Sequence, residues 1–212
     1  MSMEEKISRI GVMGGTFNPI HYGHLVTAEE ALSQFKLDKV MFMPAGVPPH
    51  KSDREILLPE ERYLLTVIAT ASNPDFVVSR LEIERKGPSY TIDTLAQLQQ
   101  IFGPDTTVFF ITGADAVWEI LTWKNAEELV ELTEFIAATR PGYSLEKFKK
   151  LHVLPEGEGR EPGRPRVSIM EIPALAISST DIRRRVREDQ PIRYLVPEGV
   201  ASYIKKSAFW KD

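Results

Sequence analysis

The chain has 212 residues, of which 42% are hydrophobic and 26% charged, with a formal net charge of −4 and no cysteine. This composition is typical of one globular domain, and it excludes disulfide bonds, thiolate nucleophiles and cysteine-based zinc sites. The sequence has no signal-peptide pattern and no apolar run of the roughly 18 residues that a membrane helix needs, and its acidic balance argues against broad nucleic-acid binding. We therefore expect a single cytoplasmic domain over residues 1–212, with neither a membrane nor a nucleic acid as partner.

Strand and helix signals alternate along the chain. Short apolar runs, several of them bounded by Gly or Pro, predict strands at 8–15, 39–45, 76–83, 106–115, 134–143 and 167–173. Apolar residues at helical spacing predict helices at 22–36, 59–73, 89–102, 177–188 and 196–210. A stretch rich in Trp and Glu predicts a helical region at about 115–132. In the second helix we expect Leu64 and Leu65 to point inward, and in the third we expect Thr91 to be the N-cap. The Pro- and Gly-rich stretch 155–166 predicts an exposed loop.

This alternation predicts an α/β fold: a Rossmann-like, doubly wound, mostly parallel sheet with helices on both faces. Ligands of such sheets bind beyond the carboxyl ends of the strands. The residues that carry function should therefore follow strands closely, and the sequence places its most unusual residues there.

A glycine turn follows the first strand. Gly14 and Gly15 have no side chains, so a ligand could approach the backbone closely. Their amides, together with those of Thr16 and Phe17, could form an anion-binding nest that leads into the next helix. The turn lacks the Gly-Lys-Ser/Thr of a Walker loop and the spacing of Gly-x-Gly-x-x-Gly.

Two histidines, His21 and His24, lie on the same side of the first turn of that helix. Histidines at this spacing could be metal ligands, an acid–base pair, phosphate binders or solvated turn residues. The metal interpretation is weak, because two helical metal ligands usually follow the His-Glu-x-x-His spacing and further ligands are needed. The other interpretations stay open on residue types alone.

Polar and aromatic residues also follow the later strands. Gly113 and Asp115 end the fourth strand, where a carboxylate can accept hydrogen bonds from ribose hydroxyls or cap a helix. Trp118 offers either a flat surface for stacking a ring or a core side chain, and Arg140 follows the fifth strand. Tyr90 and Thr91 stand at a helix start, whose free amides suit a carboxylate.

The segment Ile177–Arg183, ISSTDIR, follows the last predicted strand. Ser178 or Ser179 can cap the helix while donating to a phosphate, and the helix dipole adds to the attraction. Arg183 is a candidate phosphate ligand. The further arginines of this helix, at positions 184, 185 and 187, are expected to form a surface face or salt bridges.

Two motifs resemble those of a known superfamily. The sequence His21-Tyr22-Gly23-His24 and the segment 177–183 resemble the His-x-Gly-His and Ile-Ser-x-Thr-x-Ile-Arg signatures of the Rossmann-like nucleotidyltransferases. Within that superfamily the chain is similar to the bacterial nicotinate-nucleotide adenylyltransferase family. This closer similarity rests on MPAGVPPHK (43–51), PSYTIDTL (88–95), ITGADAVWEILTWK (111–124) and ATRPGY (138–143).

The resemblance implies transfer of the adenylyl group of ATP to nicotinate mononucleotide, with deamido-NAD and pyrophosphate as products. It implies catalytic phosphate contacts from His21, His24, Lys51 and Arg183. It implies an ATP site formed by Gly14, Gly15, Thr16, Phe17, Gly113, Asp115, Ile177, Ser178 and Ser179. It implies an acceptor site formed by Tyr90, Thr91, Trp118, His50 and Arg140. The C-terminal part, from about residue 167, would carry the second nucleotide-binding motif of one nucleotidyltransferase domain.

Mg²⁺ is implied by the substrate, held mainly through the ATP phosphates, so we assign it no protein ligand. The expected partners are ATP and nicotinate mononucleotide, with a homo-oligomer left open. One alternative is an adenylyltransferase for nicotinamide mononucleotide or phosphopantetheine, and cytidylyl transfer is less favoured. Two alternatives belong to other classes of protein. One is a non-catalytic nucleotide-binding regulator. The other is an RNA-binding relative of class I tRNA synthetases, which the acidic charge of the chain disfavours.

Overall fold

The computed structural model describes residues 6–48, 55–121, 126–140, 166–173 and 176–211. A six-stranded sheet runs through it in the order β3-β2-β1-β4-β5-β6. Pairing is parallel from β1 to β4, from β4 to β5 and from β5 to β6. The strands are β1 (Arg9–Gly15), β2 (Lys39–Pro44), β3 (Phe76–Val78), β4 (Thr107–Gly113), β5 (Glu134–Thr139) and β6 (Val167–Glu171).

Helices connect the strands, as a parallel sheet requires. They are α1 (Tyr22–Gln34), α2 (Pro59–Thr70), α3 (Leu81–Glu84), α4 (Thr91–Phe102), α5 (Ala114–Leu121), α6 (Ala126–Leu132), α7 (Ser179–Arg187) and α8 (Glu198–Lys206). The predicted α/β class with a Rossmann-like parallel sheet is confirmed. In the part of the chain that the structure describes, no helix is long and apolar enough to cross a membrane.

The chain divides into two compact units. The first consists of the described residues within Met1–Met13, Ala28–Val40 and Thr91–Ala174. Its core is formed by strand residues that are almost fully buried, such as Val12, Ile111 and Phe135. These strands are buried on both faces, and this explains their nearly continuous apolar sequences.

The second unit consists of the described residues within Gly14–Thr27, Met41–Tyr90 and Leu175–Asp212. Its core includes Phe42 from β2, Leu65 from α2 and Val200 from α8, each at 0% exposure. The segment Gly14–His24, which we call the glycine–histidine turn, belongs to this unit, and so does the whole of α7. The prediction of one nucleotidyltransferase domain over residues 1–212 stays a prediction.

Several predicted boundaries were wrong in detail. The strand expected at 76–83 ends at Val78, and the short helix α3 follows it. The helical region expected over about 115–132 is confirmed where the structure describes it, as α5 and α6, and residues 122–125 lie outside the described part of the chain. Helix α4 begins at Thr91, so this residue is helical and does not precede the helix as an N-cap would. The last helix ends at Lys206, four residues before the predicted limit at 210.

Two further expectations concern helix faces and the long loop. Leu64 was expected to point inward, but it is 38% exposed, whereas Leu65 is fully buried as predicted. The charged residue Arg62 occupies the inner face instead, at 1% exposure. The loop predicted at 155–166 lies outside the described residues except for Arg166.

Candidate functional site

Strand β1 ends in a glycine turn whose packing is set by Phe17. This residue has φ of 47°, in the left-handed region that a non-glycine residue rarely occupies, and it is only 3% exposed. A Cβ at Gly15 would lie 2.9 Å from the Phe17 ring. Gly15 therefore makes room for this aromatic ring, a packing requirement that the sequence did not reveal.

Asn18, the next residue, fixes the turn to the segment that leads into α2. It is 4% exposed, its Nδ2 donates to the Glu55 carbonyl at 3.1 Å, and its Oδ1 accepts from the Leu57 amide at 3.0 Å. A buried amide with both ends bonded is held in one orientation. The Asn18–Pro19 peptide bond that follows is cis.

The two histidines of the first motif contact one another. Their rings stack with centroids 3.8 Å apart, and the His21 amide donates to His24 Nδ1 at 3.2 Å. Since Nδ1 of His24 accepts this bond, the ring proton of neutral His24 resides on Nε2. Phe17 packs edge-on against the His24 ring, at 5.1 Å between centroids.

His21 is the buried member of the pair, at 7% exposure. Loss of solvent lowers the pKa of its imidazole to about 4, against an opposing hydrogen bond to backbone, so the ring is neutral near pH 7. Its Nδ1 is buried and has no hydrogen-bond partner among the described residues. A buried lone pair is tolerated better than a buried unpaired N–H, so the ring proton is best placed on Nε2.

Gly23, between the histidines, leaves space for the His21 ring. A Cβ at position 23 would lie 3.0 Å from both Cε1 and Nδ1 of His21, and 3.9 Å from the Ile177 carbonyl oxygen of the second motif. A side chain at Gly23 would therefore press on the His21 ring, and the glycine leaves that ring in its observed place. The preceding amide, that of Tyr22, donates to the Leu195 carbonyl at 3.0 Å.

The second motif bonds directly to the turn that precedes the histidines. Ser178 is the N-cap of α7, accepting from the Asp181 amide at 3.2 Å, so the predicted cap is confirmed. The Ser179 hydroxyl donates to the Pro19 carbonyl at 2.8 Å. Two motifs from distant parts of the sequence thus meet within the second unit.

Arg183 is buried, at 8% exposure, and two of its nitrogens are already engaged. Nη1 donates to the Asn18 carbonyl at 3.0 Å, and Nε donates to the Glu55 carboxylate at 3.2 Å. The side chain expected to bind phosphate therefore also links α7 to the glycine turn. Its orientation is fixed by protein groups before any ligand arrives.

The other arginines of α7 form salt bridges, as expected. Arg184 and Arg185 pair with Asp181, and Arg187 pairs with Glu55 at 2.6 Å. The hydrogen bonds from Arg185 and Arg184 lower the pKa of the Asp181 carboxyl.

Arg62 organises several loops of the second unit. Its guanidinium donates to the carbonyls of Leu57 (3.0 Å), Thr16 (2.8 Å), Ala45 (2.6 Å) and Gly46 (3.1 Å). Burial lowers its pKa to about 10, while Glu82 opposes this shift, so the group stays charged near pH 7. The segments after β1 and β2 are therefore tied to one buried cation.

The other predicted residues lie in the first unit or outside the described structure, except for Tyr90, which ends a segment of the second unit. Gly113 ends β4 with open space around its Cβ position, Asp115 lies exposed in the first turn of α5, and Arg140 is exposed after β5. Thr91 begins α4, and Tyr90 precedes it at 52% exposure in the second unit. His50, Lys51 and the side chain of Trp118 lie outside the described part of the chain.

Sequence reasoning missed Asn18, Glu55, Arg62 and Trp210 as parts of this arrangement. Only Arg62 left a signal that could have been found: it shares a helical stripe with Leu65 and Ala69, both buried. A charged residue at helical spacing from buried apolar residues indicates a side chain that is itself buried and hydrogen-bonded. Glu55 and Trp210 carry no pattern that distinguishes them from surface residues.

Comparison with known proteins identifies the class. The model of the family described as cytidylyltransferase-like matches residues 12–185, a range that includes both motifs. The structure of a Plasmodium falciparum nicotinic acid mononucleotide adenylyltransferase complexed with NaAD is similar, with a TM-score of 0.76 and 20% identity, covering 96% of this chain and 97% of that one. At this identity the likeness establishes the fold.

Closer relatives narrow the family. A Moorella thermoacetica protein named "Probable nicotinate-nucleotide adenylyltransferase" is 51% identical over 211 residues, which cover 100% of this chain and 95% of that protein. A Streptomyces coelicolor protein with the same name is 52% identical over 199 residues, covering 94% and 99%. The chain therefore belongs to the cytidylyltransferase-like family and, within it, to the nicotinate-nucleotide adenylyltransferases.

Proposed function

We propose that the protein transfers the adenylyl group of ATP to nicotinate mononucleotide, forming deamido-NAD and pyrophosphate. The observation that carries this proposal is the 51% identity, over the full chain, to a relative named for this reaction. The histidine turn and the capped α7, which meet within one unit, support it. Both are the kinds of N–H-rich element that bind phosphate.

The chemistry is a single displacement at phosphorus. A 5′-phosphate oxygen of nicotinate mononucleotide attacks the α-phosphorus of ATP, a new P–O–P bond forms, and the bond to the β-phosphate oxygen breaks to release pyrophosphate. A phosphate monoester is largely a dianion at pH 7, since its second pKa is about 6. No general base is needed, so the protein contributes position and charge stabilisation.

His21 and His24 would act as hydrogen-bond donors to the ATP phosphates. The neutral state of His21 and the bond that His24 Nδ1 accepts both favour Nε2–H as the donor in each ring. Donors fixed in advance stabilise the charge that develops on the leaving pyrophosphate better than mobile ones. The amides of Gly14, Gly15, Thr16 and Phe17 would add to this donor set.

Arg183 would supply positive charge to the same phosphates, together with Lys51. With Nη1 and Nε of Arg183 bonded to protein groups, the donors left for a phosphate are those of the outer edge of the guanidinium. Ser178, Ser179 and Ile177 would line the phosphates at the start of α7.

The nucleoside and acceptor contacts are part of the proposal. Gly113 and Asp115 would bind the adenosine, with the Asp115 carboxylate accepting from ribose hydroxyls. The start of α4 would receive the nicotinate carboxylate through Thr91 and Tyr90, because the positive end of a helix dipole attracts anions. Trp118 would stack on the pyridine ring, with His50 and Arg140 as further contacts.

We propose that Mg²⁺ enters with ATP and is held mainly through its phosphates. Among the described residues there is no group of three His, Asp or Glu side chains that could hold a metal ion. The donors near the histidine turn are N–H groups and cations, which suit phosphate oxygens and not a cation. The ion would add positive charge to the triphosphate. A cytoplasmic location, where ATP is abundant, completes the proposal.

The experiment is pyrophosphate release from ATP and Mg²⁺, with nicotinate mononucleotide and nicotinamide mononucleotide compared at equal concentration. Turnover that favours the acid, and that falls in His24→Ala, supports the proposal. Turnover with the amide alone points to the alternative acceptor. A protein that binds ATP without turnover on either acceptor would instead be a nucleotide-binding regulator.

A further inference from the structure

Glu55 collects four hydrogen-bond donors from distant parts of the sequence. Its carboxylate accepts from Arg183 Nε at 3.2 Å and from Arg187 Nη1 at 2.6 Å. Its backbone carbonyl accepts from Asn18 Nδ2 at 3.1 Å and from Trp210 Nε1 at 2.8 Å. We call these five residues the Glu55 cluster, and all belong to the second unit.

Two members of the cluster, Arg183 and Asn18, are a proposed phosphate ligand and a residue close in sequence to His21. Arg183 is 8% exposed and Asn18 is 4% exposed, so protein contacts and not solvent decide their orientation. Asn18 is followed by Pro19, whose carbonyl accepts from Ser179, and the chain then reaches His21. A shift of Glu55 would therefore move both Arg183 and the segment that enters the histidine turn.

Aromatic packing also helps to hold Trp210 in place. Its ring lies 5.9 Å from that of Phe209, which in turn lies 5.9 Å from Tyr203 in α8. Ala208 and Trp210 have φ of 52° and 57°, a left-handed conformation that is strained for a non-glycine residue. Strain of this kind persists where other contacts stabilise it, and the indole–Glu55 bond is such a contact.

We propose that Glu55 and Trp210 are positioning residues for ATP binding, a role that rests on the function proposed above. Neither is assigned a contact with substrate. Trp210 fixes the backbone of Glu55, the Glu55 carboxylate fixes the Arg183 guanidinium, and Asn18 transmits the same constraint to the histidine turn. The segment after α8 thus contributes to a phosphate site built around residues 14–24.

Two variants separate position from charge. Trp210→Phe removes the indole N–H, keeps an aromatic ring and changes no charge, so any loss of ATP binding reports position alone. Glu55→Gln keeps the side-chain shape but replaces a charge-assisted bond to Arg183 by a neutral one. The matched controls are Tyr203→Phe, which alters an aromatic residue in the same segment, and Glu60→Gln, which breaks the exposed Arg80–Glu60 pair of the same unit.

The measurements are the KM values for ATP and for nicotinate mononucleotide, kcat, the Kd for ATP without acceptor, and thermal unfolding. We expect the KM and Kd for ATP to rise about tenfold in Glu55→Gln, which weakens a hydrogen bond to a charged group, and about fivefold in Trp210→Phe, which loses a bond between neutral groups. The KM for the acceptor should change less than about twofold, as should all constants of the controls. A purely structural role would lower the melting temperature and leave the ATP constants of the folded protein unchanged.

Unchanged ATP constants in folded Trp210→Phe and Glu55→Gln would overturn the proposal. Tighter ATP binding in Glu55→Gln would also overturn it, since the carboxylate would then compete with phosphate for Arg183. If Glu55→Gln does not fold, Arg187→Gln weakens the cluster from its more exposed side and gives the same comparison. A wild-type protein without turnover would refute the proposed reaction, whereas the ATP titration would still decide on the two residues.

Discussion

The imidazole rings of His21 and His24 stack at 3.8 Å between centroids, with 25° between their planes. Two imidazolium ions at this separation would repel one another strongly. The pKa of about 4 at His21 removes that repulsion, because the buried ring is neutral near pH 7. At least one ring of the pair is therefore neutral near pH 7, and the His21 ring can donate an N–H bond without carrying a charge.

The burial of His21 should make stability depend on pH. Its pKa is 6.5 in the unfolded chain and about 4 in the folded protein, so the unfolded chain binds the proton more tightly. Stability from this group is complete above pH 6.5 and falls as the pH drops toward 4, by roughly 3 kcal/mol in total. Urea unfolding at pH 7 and pH 4.5 should show a larger loss for wild type than for His21→Asn. Equal losses would show that His21 titrates normally.

Removal of one histidine donor should reduce kcat strongly. His24→Ala is expected to lower kcat by about 10²–10³-fold, the usual effect of deleting one fixed donor to a developing anion. His24→Gln, which keeps an N–H group, should retain more activity. Tyr22→Phe, a change at the exposed residue between the histidines, is the control and should leave pyrophosphate release near the wild-type rate. Full activity of His24→Ala would refute the phosphate role.

Gly23→Ala should separate activity from stability. Alanine favours a helix over glycine by about 1 kcal/mol, but its Cβ would lie 3.0 Å from two atoms of the His21 ring. We expect the melting temperature to change little, since these two effects oppose each other, while kcat falls because the ring is displaced. Gly199→Ala would be a poor control, since its Cβ meets Ile68 at 2.7 Å. Gly103→Ala, remote from the turn in sequence and with open space at its Cβ, should affect stability and not kcat.

Arg62→Met should destabilise the protein by about 3–5 kcal/mol, as expected when a buried charged group is removed and its partners stay buried. The change leaves four backbone carbonyls without this donor and Glu82 without its positive neighbour. Arg80→Gln, which removes the solvent-exposed ion pairs with Glu60 and Glu84, should cost less than this buried change. Chemical denaturation of both variants provides the measurement, and similar losses would contradict the importance of burial.

The fold was largely predictable because strands buried on both faces and amphipathic helices leave strong periodic patterns. The failure at β3 has a simple cause: FVVSRLEI continues the apolar character of the strand, but Leu81–Glu84 form a helical turn in which Glu82 is buried. Periodicity in so short a stretch does not separate strand from helix. Leu64 was predicted to be buried because it is apolar, but it is exposed. Arg62 lies on the inner face of α2 instead, because its guanidinium can donate there to four backbone carbonyls.

The candidate site was predictable only where a local pattern carries it. The His-x-Gly-His turn and the serine cap of α7 are such patterns, and in the structure Ser179 of α7 bonds to Pro19 just before the histidines. Glu55 and Trp210 are different, because their partners lie far away in sequence and each looks like an ordinary surface residue. Arg183 shows the same limit, since no pattern reveals that its Nε and Nη1 are bonded to Glu55 and Asn18.

The bonds from Ser179 to Pro19 and from Arg183 to Asn18 have a consequence for synthesis on the ribosome. All six strands are complete once translation has reached Glu171, yet neither of these donors has then been made. The glycine–histidine turn of a nascent chain must wait for them, roughly 10–30 s after its own synthesis at typical elongation rates. A chain that stalls in this interval carries the histidine turn without its bonds to Ser179 and Arg183.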